Sequence, residues 1–478
     1  MEVTLADPVS SFPVYDPASG NCVGHAPAQG ELEARRAIDA AAQAFDAWRE
    51  IGPAARASAL RSFAAGLQNE AEHLSRLISL EQGKPWRESR AEVDQGIAYL
   101  HWFAEEARRA YGDLIPDRFA GGRMHICREP VGIVAAVTPW NFPFSMPLRK
   151  IAPALAAGCP VLLKPAPETP LSALAIAVIA ERTGLGSGLL TVVTGDREAS
   201  AAIVGAWIVD TRVRKLSFTG SSATGRHLAE LASADLKRLS LELGGNAPFL
   251  IFEDADLDHA LDGLIAAKFR NAGQTCVSPN RVLVQASIYD GFVARLAERI
   301  RRLVAGPAND PMSDIGPLIS AAAVEKIDRQ LSDALARGAR LLCGGQARGC
   351  FYQPTLVADV TPEMMIAREE TFGPVVALQR FADEVEAIRI ANDSCFGLAA
   401  YAFTRDADRI WRLGETLEAG MVGINQVAIS TEEAPFGGIK QSGYGREGSR
   451  YGLDDYQNLK LISLGPTTVA HIREMASC

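Results

Sequence analysis

The chain has 478 residues, of which 48% are apolar and 22% charged, with a formal net charge of −9. That length predicts two or three lobes with ample core material, and the acidic balance with scattered Lys and Arg argues against a nucleic-acid binder. The eight cysteines form no CxxC pair and the seven histidines no HExxH, so no metal site is expected and the thiols read as reduced and intracellular.

The N-terminal MEVTLADPVSS has no basic segment before an apolar core and does not read as a secretory signal. Residues 34–49 place Ile38, Ala41, Phe45 and Trp48 on one helical face. VGIVAAVT (131–138) is a continuous apolar run ending at Pro139, which predicts a strand buried on both faces. TPWNFPFSMPLRK (138–150) follows, with Asn141 held between Trp140 and Phe142 and prolines on both sides. An amide fixed in this way either stabilises an oxyanion or satisfies its own turn. VLLK (161–164) predicts the next strand. Lys164 at its carboxyl end either holds a ribose or phosphate, because ligands bind at that edge of an open sheet, or is simply solvated. LSALAIAVIA (171–180), in a helix expected over 168–183, is too short to span a bilayer.

LLTVVTGD (189–196) and RKLSFTG (214–220) predict further strand-then-turn units, with a helix over 223–232. This alternation is that of a doubly wound, mostly parallel sheet between residues 131 and 243. FTGSSATG (218–225) lacks the G-x-G-x-x-G spacing; Gly220 and Ser221 either point backbone N–H groups at a phosphate or form a capped turn. In LELGGNAP (241–248), Glu242 is either a carboxyl with raised pKa, suited to a general base, or a residue exposed at a strand end. PFLIF (248–252) opens a second β/α series, with helices expected over 284–304 and 319–337. In FRNAGQTCVSPNR (269–281), Cys276 is either a packing residue or a nucleophile. EETFGPV (369–375) and APFGGIKQSGYGREGS (434–449) are Gly/Pro-rich loops that either carry function or merely connect. NLKLISLG (458–465) alternates as a strand does, and a terminal strand suits pairing with another subunit. Cys478 is not placed for prenylation.

Taken in order, TPWNFP, LLKPA, FTGS, LELGGNAP, GQTC, EETFGPV and PFGGIKQSG resemble the aldehyde dehydrogenase superfamily over nearly the whole chain. WFAEEARRAYGDLIP (102–116), KFRNAGQTC (268–276) and APFGGIKQSGYGREGSRYGLDDY (434–456) resemble its succinate-semialdehyde dehydrogenases most. The resemblance implies an α/β fold with a Rossmann-like cofactor domain (1–111 and 131–243), an α/β catalytic domain (244–441) and a small oligomerisation sheet (112–130 and 453–470). It implies Cys276 as nucleophile, Asn141 with the Cys276 N–H as oxyanion donors, and Glu242 as the base that activates water. A carboxylate there argues for release of an acid rather than transfer to coenzyme A, and an intact Cys276, Glu242 and Asn141 argue against a crystallin-like structural role. NADP, NAD or both would be the cofactor, with Trp140, Lys164, Ala166, Pro167, Gly220 and Ser221 along the adenosine and phosphates. Leu243 would sit near the nicotinamide, and Glu370 and Phe372 at its ribose. A cytoplasmic homodimer or homotetramer is implied.

The implied substrate carries a terminal carboxylate, for which Arg149 and Arg270 would supply guanidinium groups and Ser430 a hydroxyl. Three departures from the pattern stand out. Asn425-Gln426-Val427-Ala428 replaces the usual Asn-Thr-Gly, which leaves glutarate semialdehyde, or a broader aromatic range, as alternatives. Ser278 stands where some relatives have a second cysteine, so no disulfide switch at Cys276 is expected. Pro167 stands where NAD-preferring relatives have Glu, with Glu168 shifted by one, which favours use of NADP.

Overall fold

The computed structural model describes residues 10–118 and 122–465. The first nine residues, Cys478 and the end of the 453–470 segment lie outside the described residues. A hairpin of β1 (Ser11–Tyr15) and β2 (Cys22–Pro27) precedes α1 (Glu31–Glu50), α2 (Pro53–Asn69), α3 (Ala71–Gln82) and α4 (Trp86–Ala107). Next come β3 (Asp113–Pro116) and β4 (Arg123–Pro130).

The chain then builds β5 (Ile133–Val137), α5 (Ser145–Ala157), β6 (Val161–Lys164), α6 (Leu171–Arg182), β7 (Leu190–Val192), α7 (Arg197–Val209), β8 (Val213–Thr219), α8 (Ser222–Ser233) and β9 (Arg238–Glu242). These strands form a parallel sheet in the order β9-β8-β5-β6-β7. Its central strand β5 reads as an unbroken apolar run because both faces are covered. Val134, Ala136, Val161 and Leu163 enter one core, while Ile133, Ala135 and Leu162 enter another on the opposite face. Strand order reverses at β5, which lies between β6 and β8. Ligand clefts of open α/β sheets form at that point, outside the carboxyl ends of the strands.

The second series runs through β10 (Ala247–Ile251), α9 (Leu257–Phe269), β11 (Pro279–Gln285), α10 (Tyr289–Arg301), α11 (Ala321–Ala336) and β12 (Arg340–Cys343). A short hairpin, β13 (Ala347–Arg348) with β14 (Phe351–Tyr352), leads to β15 (Thr355–Ala358), α12 (Met365–Arg368), β16 (Val375–Phe381) and α13 (Glu384–Asn392). The chain continues through β17 (Phe396–Gly397), β18 (Ala399–Phe403), α14 (Ala407–Thr416) and β19 (Met421–Ile424). The resulting sheet has the order β12-β15-β16-β11-β10-β18-β19 and is parallel except for β12. Last come β20 (Ile439–Lys440), β21 (Gly443–Tyr444), α15 (Tyr451–Asp454) and β22 (Gln457–Leu464). β21 crosses back to pair with β9, placing Gly443 opposite Glu242.

The structure corrects one boundary: the helix expected over 284–304 begins only at Tyr289. Val282, Leu283, Val284 and Gln285 belong to β11, where they pair with β16. A β-branched run flanked by two strands gains more from ladder pairing than from starting a helix. The terminal strand does form. β22 pairs along its whole length with β4, and its residues after Gln457 are exposed. Among the described residues, no helix is long and apolar enough to cross a membrane.

Candidate active site

Cys276 stands at the end of an unusual backbone turn. After α9, Asn271, Ala272 and Gly273 take φ values of 51°, 54° and 74°, all in the left-handed region. Such a run is strained for Asn and Ala and persists only where surroundings over-determine it. Here they do. The Glu88 carboxylate accepts from the Asn271 N–H at 2.8 Å, and the Gln274 side chain donates to the Asn271 and Pro317 carbonyls. At Gly273 a Cβ would press into the Gly373 carbonyl, which explains the glycine of GQTC. Gly245 is required for a similar reason, since a Cβ there would meet the Cys276 carbonyl oxygen.

The loop after β5 brings Asn141 alongside. Asn141 is buried, and its Nδ2 donates to the Gln274 carbonyl at 3.0 Å. Three groups hold this loop from behind. Lys84 Nζ donates to the Asn141 carbonyl at 2.7 Å and to Glu92 at 2.6 Å, and Asn271 Nδ2 donates to the same carbonyl at 3.0 Å. Glu92 in turn accepts from the N–H groups of Phe144 and Ser145.

Glu242 ends β9 fully buried, and neither carboxylate oxygen has a hydrogen-bond partner. Burial pushes its pKa well above the ordinary carboxylate range, and the Glu447 carboxylate adds to the effect. Lys150, Arg446 and Arg149 oppose it. Glu447 is itself buried and accepts from Lys150 Nζ at 2.6 Å. Burial also pushes the Cys276 thiol up to about 12, with Glu370 and Glu242 reinforcing the shift and Arg149 opposing it. The resting cysteine is therefore a thiol, held beside a carboxyl able to exchange protons.

Two clefts meet at Cys276. The larger, of about 370 Å³, is lined on the first sheet's side by Trp140, Asn141, Glu168, Arg197, Gly220, Ser221, Glu242 and Leu243. On the other side it is lined by Cys276, Lys326, Glu370 and Phe372. The first sheet presents the carboxyl ends of its strands to this cleft, whereas the second presents the amino ends of β11 and β16. Trp140 and Phe372 meet edge to face at 5.5 Å, one from each side. The Glu370 carboxylate accepts the Gly245 N–H at 3.0 Å. Ser221 caps α8 by accepting the Thr224 N–H, leaving the helix's positive end toward the cleft. A mostly apolar cleft at a sheet's switch point, with a helix N-terminus and the Glu370 carboxylate on its wall, fits a dinucleotide.

Sequence and structure part at Lys164. It is buried, and its ammonium donates to the carbonyls of Pro165 at 2.8 Å and Gly195 at 3.3 Å. Burial lowers its pKa to about 8. Lys164, Ala166 and Pro167 are not among the residues lining the cleft; Glu168 and Arg197 are.

The smaller cleft is lined by Gln95, Phe142, Met146, Arg149, Arg270, Cys276, Ser430 and Phe436, among others. Arg149 is buried between the rings of Tyr99 and Phe436, and one nitrogen donates to the Ser430 hydroxyl. Its Nε and Nη1 have no hydrogen-bond partner, and Nη1 lies 3.8 Å from Glu447. Arg270 is exposed and sits over the Phe142 ring at 5.1 Å. Gln95 and Tyr99 donate to the carbonyls of Ser430 and Thr431, fixing the loop after β19 to α4. Gln426 folds back so that its Oε1 accepts the N–H groups of Val427 and Ala428. Sequence reasoning missed Lys84, Glu92, Lys150 and Glu447. Each is an isolated charge in the sequence, and only the buried pairing gives it meaning.

A half-buried thiol, an amide and a carboxyl converging between a dinucleotide-sized cleft and a cationic one define a thiol-dependent oxidoreductase. Residues 5–462 match the model of the aldehyde dehydrogenase family, and the chain belongs to that family. It is an NAD(P)-dependent aldehyde-oxidising enzyme. It is similar to the succinate-semialdehyde dehydrogenase [NADP(+)] GabD of Escherichia coli (strain K12), with 50% identity over 456 residues, 95% of this chain and 94% of that protein. It is also similar to the glutarate-semialdehyde dehydrogenase of Pseudomonas putida, with 47% identity over 461 residues, 96% and 95% of the two chains. The crystal structure of an E. coli NADP-dependent enzyme superposes with a TM-score of 0.94 at 48% identity, covering 95% of each chain.

Proposed function

We propose that the protein oxidises aldehydes bearing a terminal carboxylate, succinate semialdehyde foremost, to the corresponding acids. The observation that carries this reading is the buried Arg149 guanidinium, which has two nitrogens without a hydrogen-bond partner, on a residue that lines the same cleft as Cys276. Burying such a group with unmet donors is costly unless an anion completes it.

The Cys276 thiol gives up its proton to solvent as its sulfur adds to the aldehyde carbon. The resulting oxyanion is stabilised by the Asn141 amide and the Cys276 N–H. NAD or NADP, held by Trp140, Gly220, Ser221, Leu243, Glu370 and Phe372, supplies the hydride acceptor when bound. Collapse of the oxyanion leaves a thioester on Cys276. Glu242 then removes a proton from water, the hydroxide adds to the acyl carbon, and the thiolate leaves. Arg149, Arg270 and Ser430 hold the distal carboxylate throughout. The test is mass spectrometry of Glu242→Gln after mixing with succinate semialdehyde and NADP⁺. A succinyl adduct on Cys276 should accumulate, and its absence would refute the assignment.

Glutarate semialdehyde is the second reading, favoured by the changed loop at Gln426-Val427-Ala428 and by the name of the Pseudomonas relative. We also read residues 1–111 and 131–243 as the cofactor domain, 244–441 as the catalytic domain, and the sheet of β3, β4 and β22 as an oligomerisation element of a cytoplasmic homodimer or homotetramer. The exposed Leu459, Leu461 and Leu464 on β22 support the last assignment.

A further inference from the structure

The adenosine side of the larger cleft holds an ion pair. Glu168 follows β6 and Arg197 opens α7, and both line the cleft. Arg197 Nη2 lies 3.5 Å from Glu168 Oε1, and the side chains are 89% and 31% exposed. The arginine is thus tied loosely and free to turn, and its partner is the less exposed of the two. The backbone beneath it is firm, because Asp196 caps α7 by accepting the Ala199 N–H.

In Rossmann-type sheets, an acidic residue near this place binds the ribose hydroxyls of NAD, and a nearby arginine accommodates the 2′-phosphate of NADP. This chain has both, facing each other. The residue directly beside Glu168, Pro167, has no polar side-chain atom, and the Lys164 ammonium is turned to backbone carbonyls. Arg197 is therefore the cation positioned to meet a phosphate at this end of the cleft. We infer that Arg197 selects NADP by anchoring its 2′-phosphate, and that Glu168 is the displaceable partner that holds the arginine when NAD is bound. This inference rests on the reading of the larger cleft as the dinucleotide site.

The physical basis is exchange of one anion for a stronger one. A carboxylate alone would repel a phosphate that carries more than one negative charge. Paired with Arg197, that charge is cancelled. Turning toward the cofactor, the guanidinium would trade one long contact to a carboxylate for a fork of charge-assisted bonds to phosphate oxygens. With NAD there is no such exchange, and Glu168 remains available to the ribose hydroxyls. Both cofactors are then accepted, with NADP favoured.

The test is calorimetric titration of the wild-type protein and of Arg197→Ala with NADP⁺ and NAD⁺, without aldehyde. Arg197 is almost fully exposed, so the variant should fold as the wild type does. Loss of the arginine should raise the Kd for NADP⁺ by about 10- to 100-fold and that for NAD⁺ by less than about 3-fold. Glu168→Gln should weaken NAD⁺ binding and leave NADP⁺ binding equal or tighter. An unchanged ratio of the two Kd values in Arg197→Ala would overturn the inference. So would a selective loss of NADP⁺ binding in Lys164→Met with none in Arg197→Ala. If the wild type bound neither dinucleotide, the cofactor assignment of the cleft itself would fail.

Discussion

Lys84 donates to the backbone carbonyl of Asn141 at 2.7 Å, joining the turn before α4 to the loop that carries the oxyanion donor. Both side chains of the Lys84–Glu92 pair are fully buried, and Glu92 holds the next part of the same loop through two N–H groups. The pair acts as a buried brace for Asn141.

Lys84→Met leaves Glu92 buried without its cation. Breaking a buried pair from one side costs about 3–5 kcal/mol. Denaturant unfolding should show that loss, and kcat should fall with it because Asn141 loses its support. The double variant Lys84→Met/Glu92→Leu should recover much of the stability but not kcat. Recovery of both would show that the brace serves folding alone.

The reactivity of Cys276 should follow its charge environment. Burial, with the Glu370 carboxylate next, pushes the thiol up to about 12, so the thiolate fraction is small at neutral pH. Alkylation of the free enzyme by iodoacetamide should rise about tenfold per pH unit from 7 to 9, as thiolate chemistry requires. Removing a negative neighbour lowers the pKa, so Glu242→Gln should alkylate faster at every pH in that range. A slower reaction would mean that Glu242 acts as the resting base for the thiol instead.

Arg270 and Arg149 should separate in their effects. Arg270 is exposed, so Arg270→Leu removes a charged hydrogen bond at little structural cost. The kcat/KM for succinate semialdehyde should drop by about 10- to 100-fold, matching the roughly 1.5–3 kcal/mol of such a bond. The value for butanal should change little. Arg149→Leu should lower the melting temperature as well, because it also loses the rings of Tyr99 and Phe436. Equal losses on both aldehydes for Arg270→Leu would remove it from the carboxylate site.

Gly245→Ala tests the backbone around the nucleophile. The added methyl would displace the Cys276 carbonyl. A shift of about 1 Å at a reacting group can cost about 100-fold in rate. Steady-state kinetics should show a kcat loss of that order with dinucleotide binding retained by calorimetry.

Much of this site is legible in the sequence because its motifs are local. GQTC needs its glycine for a positive φ, and LELGG puts a carboxyl at a strand end beside two small residues. The buried strands are equally readable, since IVAAV is apolar at every position and VLLK at all but its last. What stays hidden depends on distance along the chain. Lys150 and Glu447 are far apart in sequence, yet their side chains meet at 2.6 Å beside Glu242. The direction of a side chain is hidden too. Lys164 lies at the expected strand end but points at the carbonyls of Pro165 and Gly195, and Arg197, at the start of α7, lines the cleft instead. The start of α10 falls later than expected because Val284 and Gln285 suit a helix or a strand until β10 and β16 flank β11.

The most direct measurement is the ratio of kcat/KM for succinate semialdehyde to that for butanal, with NADP⁺ as acceptor. The two aldehydes have the same chain length and differ in the terminal carboxylate that Arg149 and Arg270 are proposed to bind. A preference of about 10-fold or more for the acid aldehyde, collapsing in Arg270→Leu, is the expected result. Equal values for the two aldehydes would contradict the account, leaving an aldehyde dehydrogenase whose arginines serve structure rather than substrate choice.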